Sequence, residues 1–226
     1  MISNGKFYES QFEEATIELL REAHWQYAFG DDIHRKYTDP LIEEDLRNFL
    51  AVQYKDKNLT TSEMDSIVAN LRNTGGQNDY YALRNAFLLY RDGYDFAYSD
   101  GRDNPFRLEY IDFEHPDHNI FRCVNQFVME QGRENRRPDI LLFINGIPVC
   151  IIELKNPTKQ NATIHDAHTQ ICTRYMRDIP ALLKYCALAV ISDGAKNALG
   201  ATYTPFEFFY EWKKIENEDK AGKGLD

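Results

Sequence analysis

Apolar residues run without alternation through two short stretches, Ile140 to Ile144 and Ile147 to Ile152, with Asn145-Gly146 between them and charge only outside them. Unbroken apolar runs of this length predict strands covered on both faces, as in the middle of an α/β sheet, and Asn-Gly predicts the turn of a hairpin. Elsewhere the period becomes helical. Phe12, Ala15, Leu19, Leu20 and Ala23 share one face and predict a helix over 10–24, where Ser10 and Glu13 have the spacing of a capping box. From 39 to 91 the pattern stays helical. Asp39 caps a helix with Pro40 at its first position and Leu46, Phe49 and Leu50 on its apolar face. Thr60 with Glu63 makes a second capping box ahead of Met64, Ile67, Val68 and Leu71, stopping near Gly75-Gly76, and a third helix over 80–90 ends at Gly93.

Strand signals begin after the turn-rich segment 99–105: 107–113 and 120–129 are expected to neighbour the hairpin in a mixed sheet. Between them Glu114-His115-Pro116-Asp117-His118 invites a reading as metal ligands, but zinc needs about four donors and a loop with two histidines is expected to be a solvated turn. A helix is predicted over 162–177, carrying His165 and His168 with no third ligand evident. The run YCALAVIS, 185–192, predicts another strand ending in a turn at Asp193-Gly194. Thr204-Pro205 then opens a last helix that packs Phe206, Phe209 and Trp212 on the core. The expected fold is therefore α/β, a central mixed sheet flanked by helices, with 39–91 as a helical elaboration. Residues 1–216 form the domain, and the charged, Gly-containing end, 217–226, reads as a linker or truncated end.

At 226 residues and 43% hydrophobic, the chain can bury a sizeable core. No run approaches a membrane span, and the polar start is not a signal peptide. Cys123, Cys150, Cys172 and Cys186 are scattered without a CxxC pair, which points to reduced thiols and a cytoplasmic protein. The net charge of −10 argues against a protein that coats DNA nonspecifically. Local sign differs from the total, however: Arg133, Arg136, Arg137, Lys155, Lys159, Arg174 and Arg177 cluster in sequence around the hairpin as a candidate basic lip.

The charges at the hairpin's outer ends carry the candidate chemistry. Asp139 opens the first strand, and Glu153 and Lys155 close the second on a shared face. Register decides whether Asp139 joins them. A two-residue loop pairing Ile144 with Ile147 sets Asp139 across from Ile152; a three-residue loop with a bulge at Gly146 pairs Ile144 with Pro148 and sets Asp139 across from Glu153. The second is expected. Two carboxylates and an ammonium would then meet at the end of a buried hairpin, a donor set suited to Mg²⁺. An isolated Glu-x-Lys is ordinarily strand-end decoration; the Pro-Asp at hairpin distance argues for a site.

Arg137-Pro138-Asp139, Asn145-Gly146, Pro148 and Glu153-Leu154-Lys155-Asn156-Pro157 resemble the signature of the PD-(D/E)xK nuclease superfamily, and more narrowly the N-terminal nuclease domain of the restriction (R) subunit of type I restriction enzymes. The resemblance implies a restriction-endonuclease-like fold and Mg²⁺-dependent cleavage of DNA, with Mn²⁺ as a substitute ion. Asp139, Glu153 and the carbonyl of Leu154 would hold the metal, and Lys155 would assist the attacking water. The first helix of such domains often supplies another acidic residue, for which Glu13 aligns best; cap and ligand stand side by side as its roles. Gln170 and Tyr175 match a Gln…Tyr pair that supports the site or the DNA, with Arg137 as a further DNA contact. The family spacing is four residues and here it is five, so either the helix contains a bulge or one of the pair acts elsewhere. The resemblance also implies double-stranded DNA, a methyltransferase (modification) subunit and a specificity subunit as partners. ATP would serve only a longer protein, since no G-x-x-x-x-G-K-[ST] occurs in this chain. Two other readings remain open: a repair or junction nuclease on the same fold, and an inert docking or DNA-binding module.

Overall fold

A computed structural model describes residues 4–155 and 163–211, with side chains from residue 10 onward. The strands are, in chain order, β1 (Gln26–Phe29), β2 (Tyr94–Phe96), β3 (Phe106–Leu108), β4 (Phe121–Asn125), β5 (Met129–Gln131), β6 (Glu134–Arg136), β7 (Ile140–Ile144), β8 (Ile147–Leu154), β9 (Leu188–Ser192), β10 (Asn197–Ala201) and β11 (Tyr210–Glu211). Seven of them form the central sheet in the order β1-β4-β7-β8-β9-β10-β11. It is mixed: β1/β4 and β8/β9 run parallel and the other neighbours antiparallel. The helices are α1 (Asn4–Glu22), α2 (Glu43–Gln53), α3 (Thr61–Arg72), α4 (Asp79–Asp92) and α5 (Ile164–Thr169), the last continuing through 178. The expected α/β architecture with a helical elaboration is thus present. No helix among the described residues is long and apolar enough to cross a membrane.

The unbroken apolar character of β7 and β8 follows from cover on both faces. On one side Ile140, Cys150, Ile152 and Leu154 pack beneath Phe12, Ile17 and Leu20 of α1. On the other, Leu141, Phe143 and Ile151 pack against Ala167 of α5 and Ile171 and Tyr175 beyond it. The elaboration covers the turn end of the hairpin, where Leu46, Phe49, Leu50, Ile67 and Leu71 enclose Ile147 with Tyr110 and Tyr185. A fork of hydrogen bonds from Arg122 on β4 to the buried carboxylate of Asp45 on α2, 2.6 and 2.8 Å, fixes the elaboration to the sheet. The Thr60–Glu63 capping box forms as predicted, and Gly93 at φ 68° ends α4. The four cysteines are free thiols.

Several expectations are corrected. Helix α1 starts at Asn4, so Ser10 and Glu13 lie inside it and form no capping box. Asp39 caps no helix: its carboxylate accepts from the Leu41 amide and pairs with Arg72, while α2 begins at Glu43. Segment 107–113 does not join the main sheet; β3 pairs with β2, and Tyr110 and Ile111 are buried as irregular chain. Segment 120–129 keeps ladder geometry only to Asn125, because Gln126 turns into the left-handed region at φ 55°. Among the described residues of the last segment, 204–211, no helix of the expected kind forms. The chain makes a 3-10 turn, Phe206–Phe208, and then takes the open ladder of β10 as β11, with the Phe209 ring over the bare backbone of Gly200. Trp212 and Lys159 lie outside the described residues. Strands β1 (QYAF) and β10 (NALGA) contain no β-branched residue and were not anticipated.

Asn145 and Gly146 both have positive φ, 51° and 76°, as a two-residue hairpin loop requires. The Gly146 carbonyl accepts from the Ile42 amide at 2.9 Å, and a Cβ at Gly146 would overlap the Ile42 carbonyl oxygen. Left-handed strain and overlap act together at this position. Gly146→Ala is expected to cost about 2–3 kcal/mol in urea unfolding with an unchanged far-ultraviolet spectrum; a loss within experimental error would show that the turn is not so tightly held.

Candidate active site

The register of β7 on β8 begins as Ile144↔Ile147 and Phe143↔Pro148, the two-residue loop, not the three-residue loop expected. It does not stay there. The next pairs are Leu142↔Cys150, Leu141↔Ile151 and Ile140↔Ile152, so Val149 is an extra residue in β8, a β-bulge. Continued one step, the shifted register sets Asp139 across from Glu153. The bulge in the strand thus does what a bulge in the loop was expected to do. Side-chain interactions agree: Asp139 Oδ2 accepts from the amide of Leu154 at 2.8 Å.

Glu153 and Lys155 share the β8 face of Ile151, the face turned towards α5. Glu153 is 1% exposed. Its Oε1 accepts from Lys155 Nζ at 2.8 Å, while Oε2 is buried with no hydrogen-bond partner among the described residues. Burial first, and the Asp139 carboxylate second, push the Glu153 carboxyl up to about 8, against the opposing pull of Lys155 and of the Tyr175 hydroxyl. When ionised, this buried carboxylate beside a second one carries more negative charge than Lys155 and the Tyr175 hydroxyl neutralise. That is the condition a hard divalent cation satisfies, so these residues fit Mg²⁺ or Mn²⁺.

Lys155 is held from two sides. Its Nζ donates to Glu153 and, at 2.8 Å, to Oε1 of Gln170; Gln170 Nε2 donates to the Tyr175 hydroxyl at 2.6 Å. Tyr175 in turn reaches the Arg137 carbonyl at 3.5 Å, next to the start of β7. The five-residue spacing is resolved here. Residues Gln170–Tyr175 form a π-helical turn between Ile164–Thr169 and Met176–Asp178, and i→i+5 bonding returns the two side chains to one side of the helix. Residues from β8, the helix and the segment before β7 thereby close one chain of hydrogen bonds around the ammonium.

Glu13 is placed differently. Its helix covers the opposite face of β8, and its carboxylate accepts from Asn125 Nδ2 at 2.9 Å and from Gln126 Nε2 at 2.9 and 3.1 Å. The Gln126 amide donates to the Asp139 carbonyl at 3.1 Å, so Glu13 is linked to Asp139 through one residue. Among the described residues, Glu13, Asp139 and Glu153 do not form a three-carboxylate group of metal-binding spacing. Asn125 and Gln126, which no spacing in the sequence singled out, are the groups that position this rim. The basic lip is thinner than its sequence suggests, because Arg136 and Arg177 both pair with Asp178. Arg133, Arg137 and Arg174 are exposed.

Residues 6–208 match the family described as type I restriction enzyme R protein N terminus. The chain is 29% identical over 225 residues to the type I restriction enzyme HindI endonuclease subunit of Haemophilus influenzae, covering 95% of this chain and 21% of that protein. It is 30% identical over 215 residues to a Methanocaldococcus jannaschii protein provisionally named as the MjaIXP endonuclease subunit, covering 92% and 20%. An Escherichia coli relative, the EcoprrI endonuclease subunit, is 32% identical over 133 residues, 55% of this chain and 40% of that one. The chain therefore spans about a fifth of the length of the first two relatives.

The buried carboxylate has a consequence for stability. In the metal-free protein Glu153 keeps its proton up to about pH 8 when folded but only through the ordinary carboxyl range when unfolded, so stability falls as pH rises between the two. Glu153→Gln keeps the shape and cannot ionise. Its unfolding free energy, measured in urea, should exceed that of the parent by a margin that grows from about pH 5 to pH 8 and then levels, reaching about 1–3 kcal/mol. A margin independent of pH would mean that Glu153 is ionised throughout.

Proposed function

The chain belongs to the family of type I restriction enzyme R protein N termini, and from that premise we propose that it is the DNA-cleaving domain of a restriction subunit, hydrolysing phosphodiester bonds with a divalent metal. The observation that carries this reading is the Glu153 carboxylate, buried beside Asp139, bonded to Lys155 through one oxygen and without a hydrogen-bond partner for the other among the described residues. A fold gains nothing from such a group unless something binds it.

Asp139, Glu153 and the Leu154 carbonyl would hold Mg²⁺, or Mn²⁺ in its place. When bound, the ion supplies a water acidic enough to attack phosphorus and offsets charge on the phosphate. Asp139 is held in place for ligation by the Leu154 amide. Lys155, fixed by Gln170 and the π-helical turn, presents its ammonium where it can orient the attacking water and stabilise the pentacovalent phosphate. Tyr175 and Gln170 are positioning residues, and Glu13 organises the rim through Gln126. Exposed Arg137 and Arg174 would meet the DNA backbone.

In this reading the substrate is double-stranded DNA and sequence choice lies with a separate specificity subunit, with a methyltransferase subunit in the same complex. ATP would be used by the part of the longer protein that this chain does not span. The test is nicking of supercoiled plasmid by the domain in Mn²⁺. Nicking that falls by about 10²-fold or more in Lys155→Ala is expected. Residual nicking equal to that of Lys155→Ala would favour an inert docking module, and a preference for branched over linear DNA would favour a junction nuclease.

A further inference from the structure

The loop between β3 and β4 was expected to be a solvated turn, and Pro116–His118 does form a 3-10 turn. The structure adds a third group to its two histidines. Asp112 is buried, its side chain 6% exposed, and its Oδ2 lies 3.0 Å from His118 Nδ1 and 3.7 Å from His115 Nδ1. One donor atom of each residue lies within 4.8 Å of the others, and this is the sole group of three or more His, Cys, Asp or Glu so placed among the described residues. The two imidazoles stack at 4.9 Å and 16°, so their Nδ1 edges turn to the same carboxylate.

We propose that Asp112, His115 and His118 form a binding site for a divalent transition-metal cation of the zinc class, separate from the Asp139–Glu153 site. Metal–donor bonds of about 2.0–2.1 Å set neighbouring donors about 3.0–3.4 Å apart, and the spacings to Asp112 bracket that range. Two nitrogens and one oxygen select Zn²⁺, Ni²⁺ or Co²⁺ over Mg²⁺, which takes oxygen donors. Binding transfers the Nδ1 proton that bridges His118 and Asp112 to the exposed Nε2 edge or to solvent, and water completes the coordination on the open side.

The carboxylate is fixed in advance. Asp112 Oδ1 accepts from the amides of Glu114 and His115 at 3.1 and 2.8 Å, and Oδ2 also accepts from Gln53 Nε2 of α2 at 3.1 Å. Such outer partners orient a ligand without competing for all its lone pairs. The loop is tied in turn to the catalytic hairpin: the Asp112 amide donates to Asn119 Oδ1, which also accepts from Asn145 Nδ2 at the turn. A bound ion would pin helix α2, this loop and the hairpin turn together. The carboxylate end of β8 lies roughly 20 Å further along the strand, so the two sites would bind independently.

The test is a calorimetric Zn²⁺ titration of the untagged protein in excess Mg²⁺, beside the same titration of the His115→Ala/His118→Ala variant. Both histidines are exposed, so the variant is expected to fold. The wild type should bind one equivalent more than the variant, and Zn²⁺ should raise the melting temperature of the wild type only. Equal stoichiometry in the two proteins would overturn the proposal, as would an equal thermal response. An Asp139→Ala protein that keeps the extra equivalent would separate this site from the nuclease centre, and one that loses it would also overturn the proposal.

Discussion

The candidate site depends on a single extra residue in a β-strand. The pairs nearest the turn, Ile144↔Ile147 and Phe143↔Pro148, would, if continued, set Asp139 across from Ile152 and turn its carboxylate away from Glu153. Val149 shifts the ladder by one, and beyond it Asp139 and Glu153 fall on one face with Leu141 and Ile151, the face towards α5. A second insertion of the same size works in the facing helix. The π-helical turn takes up one residue between Gln170 and Tyr175 and returns both to the ammonium of Lys155. A bulge and a π-turn are each less favourable than the regular structure they interrupt, and each aims side chains that regular structure would misplace.

The rest of the fold holds this geometry from the turn end of the hairpin. The turn end is enclosed: Gly146 lies against the start of α2, Arg122 clamps Asp45, and the aromatic and aliphatic cluster of the elaboration covers Ile147. At the other end Glu153 is buried with one oxygen unsatisfied among the described residues, which opposes folding in the absence of a ligand. Stability is concentrated at one end of the strand pair and given up at the other. That division is expected where a binding site is built into a core.

What could be read in the sequence was what depends on local pattern. The apolar runs marked the central strands, Thr60 and Glu63 marked a helix start that forms as predicted, and the spacing of Gln170 and Tyr175 left two alternatives, of which the irregular helix is the one found. The Asp139–Glu153 opposition was also legible, but its cause was assigned to the loop, because a bulge at Val149 leaves no mark in a uniformly apolar strand. Tertiary competition hid the remainder. Ser10 and Glu13 have the letters of a cap but sit inside a longer helix, and Asp39 is drawn to Arg72. Segment 204–212 has helical letters but meets the open edge of β10 first. Asp112 joined the two histidines only through the folding of its loop, and Gln126 gained its place from a left-handed backbone that no residue type announced.

The central claim is that Asp139 and Glu153 together bind a divalent cation. It is tested most directly by titrating Mn²⁺ into the wild type, Asp139→Ala and Glu153→Ala, each shown to be folded by circular dichroism, while following heat and paramagnetic broadening of nearby resonances. The account predicts saturable binding that is lost in both variants. Binding that is absent from the wild type, or indifferent to both substitutions, would contradict it and leave the charges at the end of the hairpin without a metal to hold.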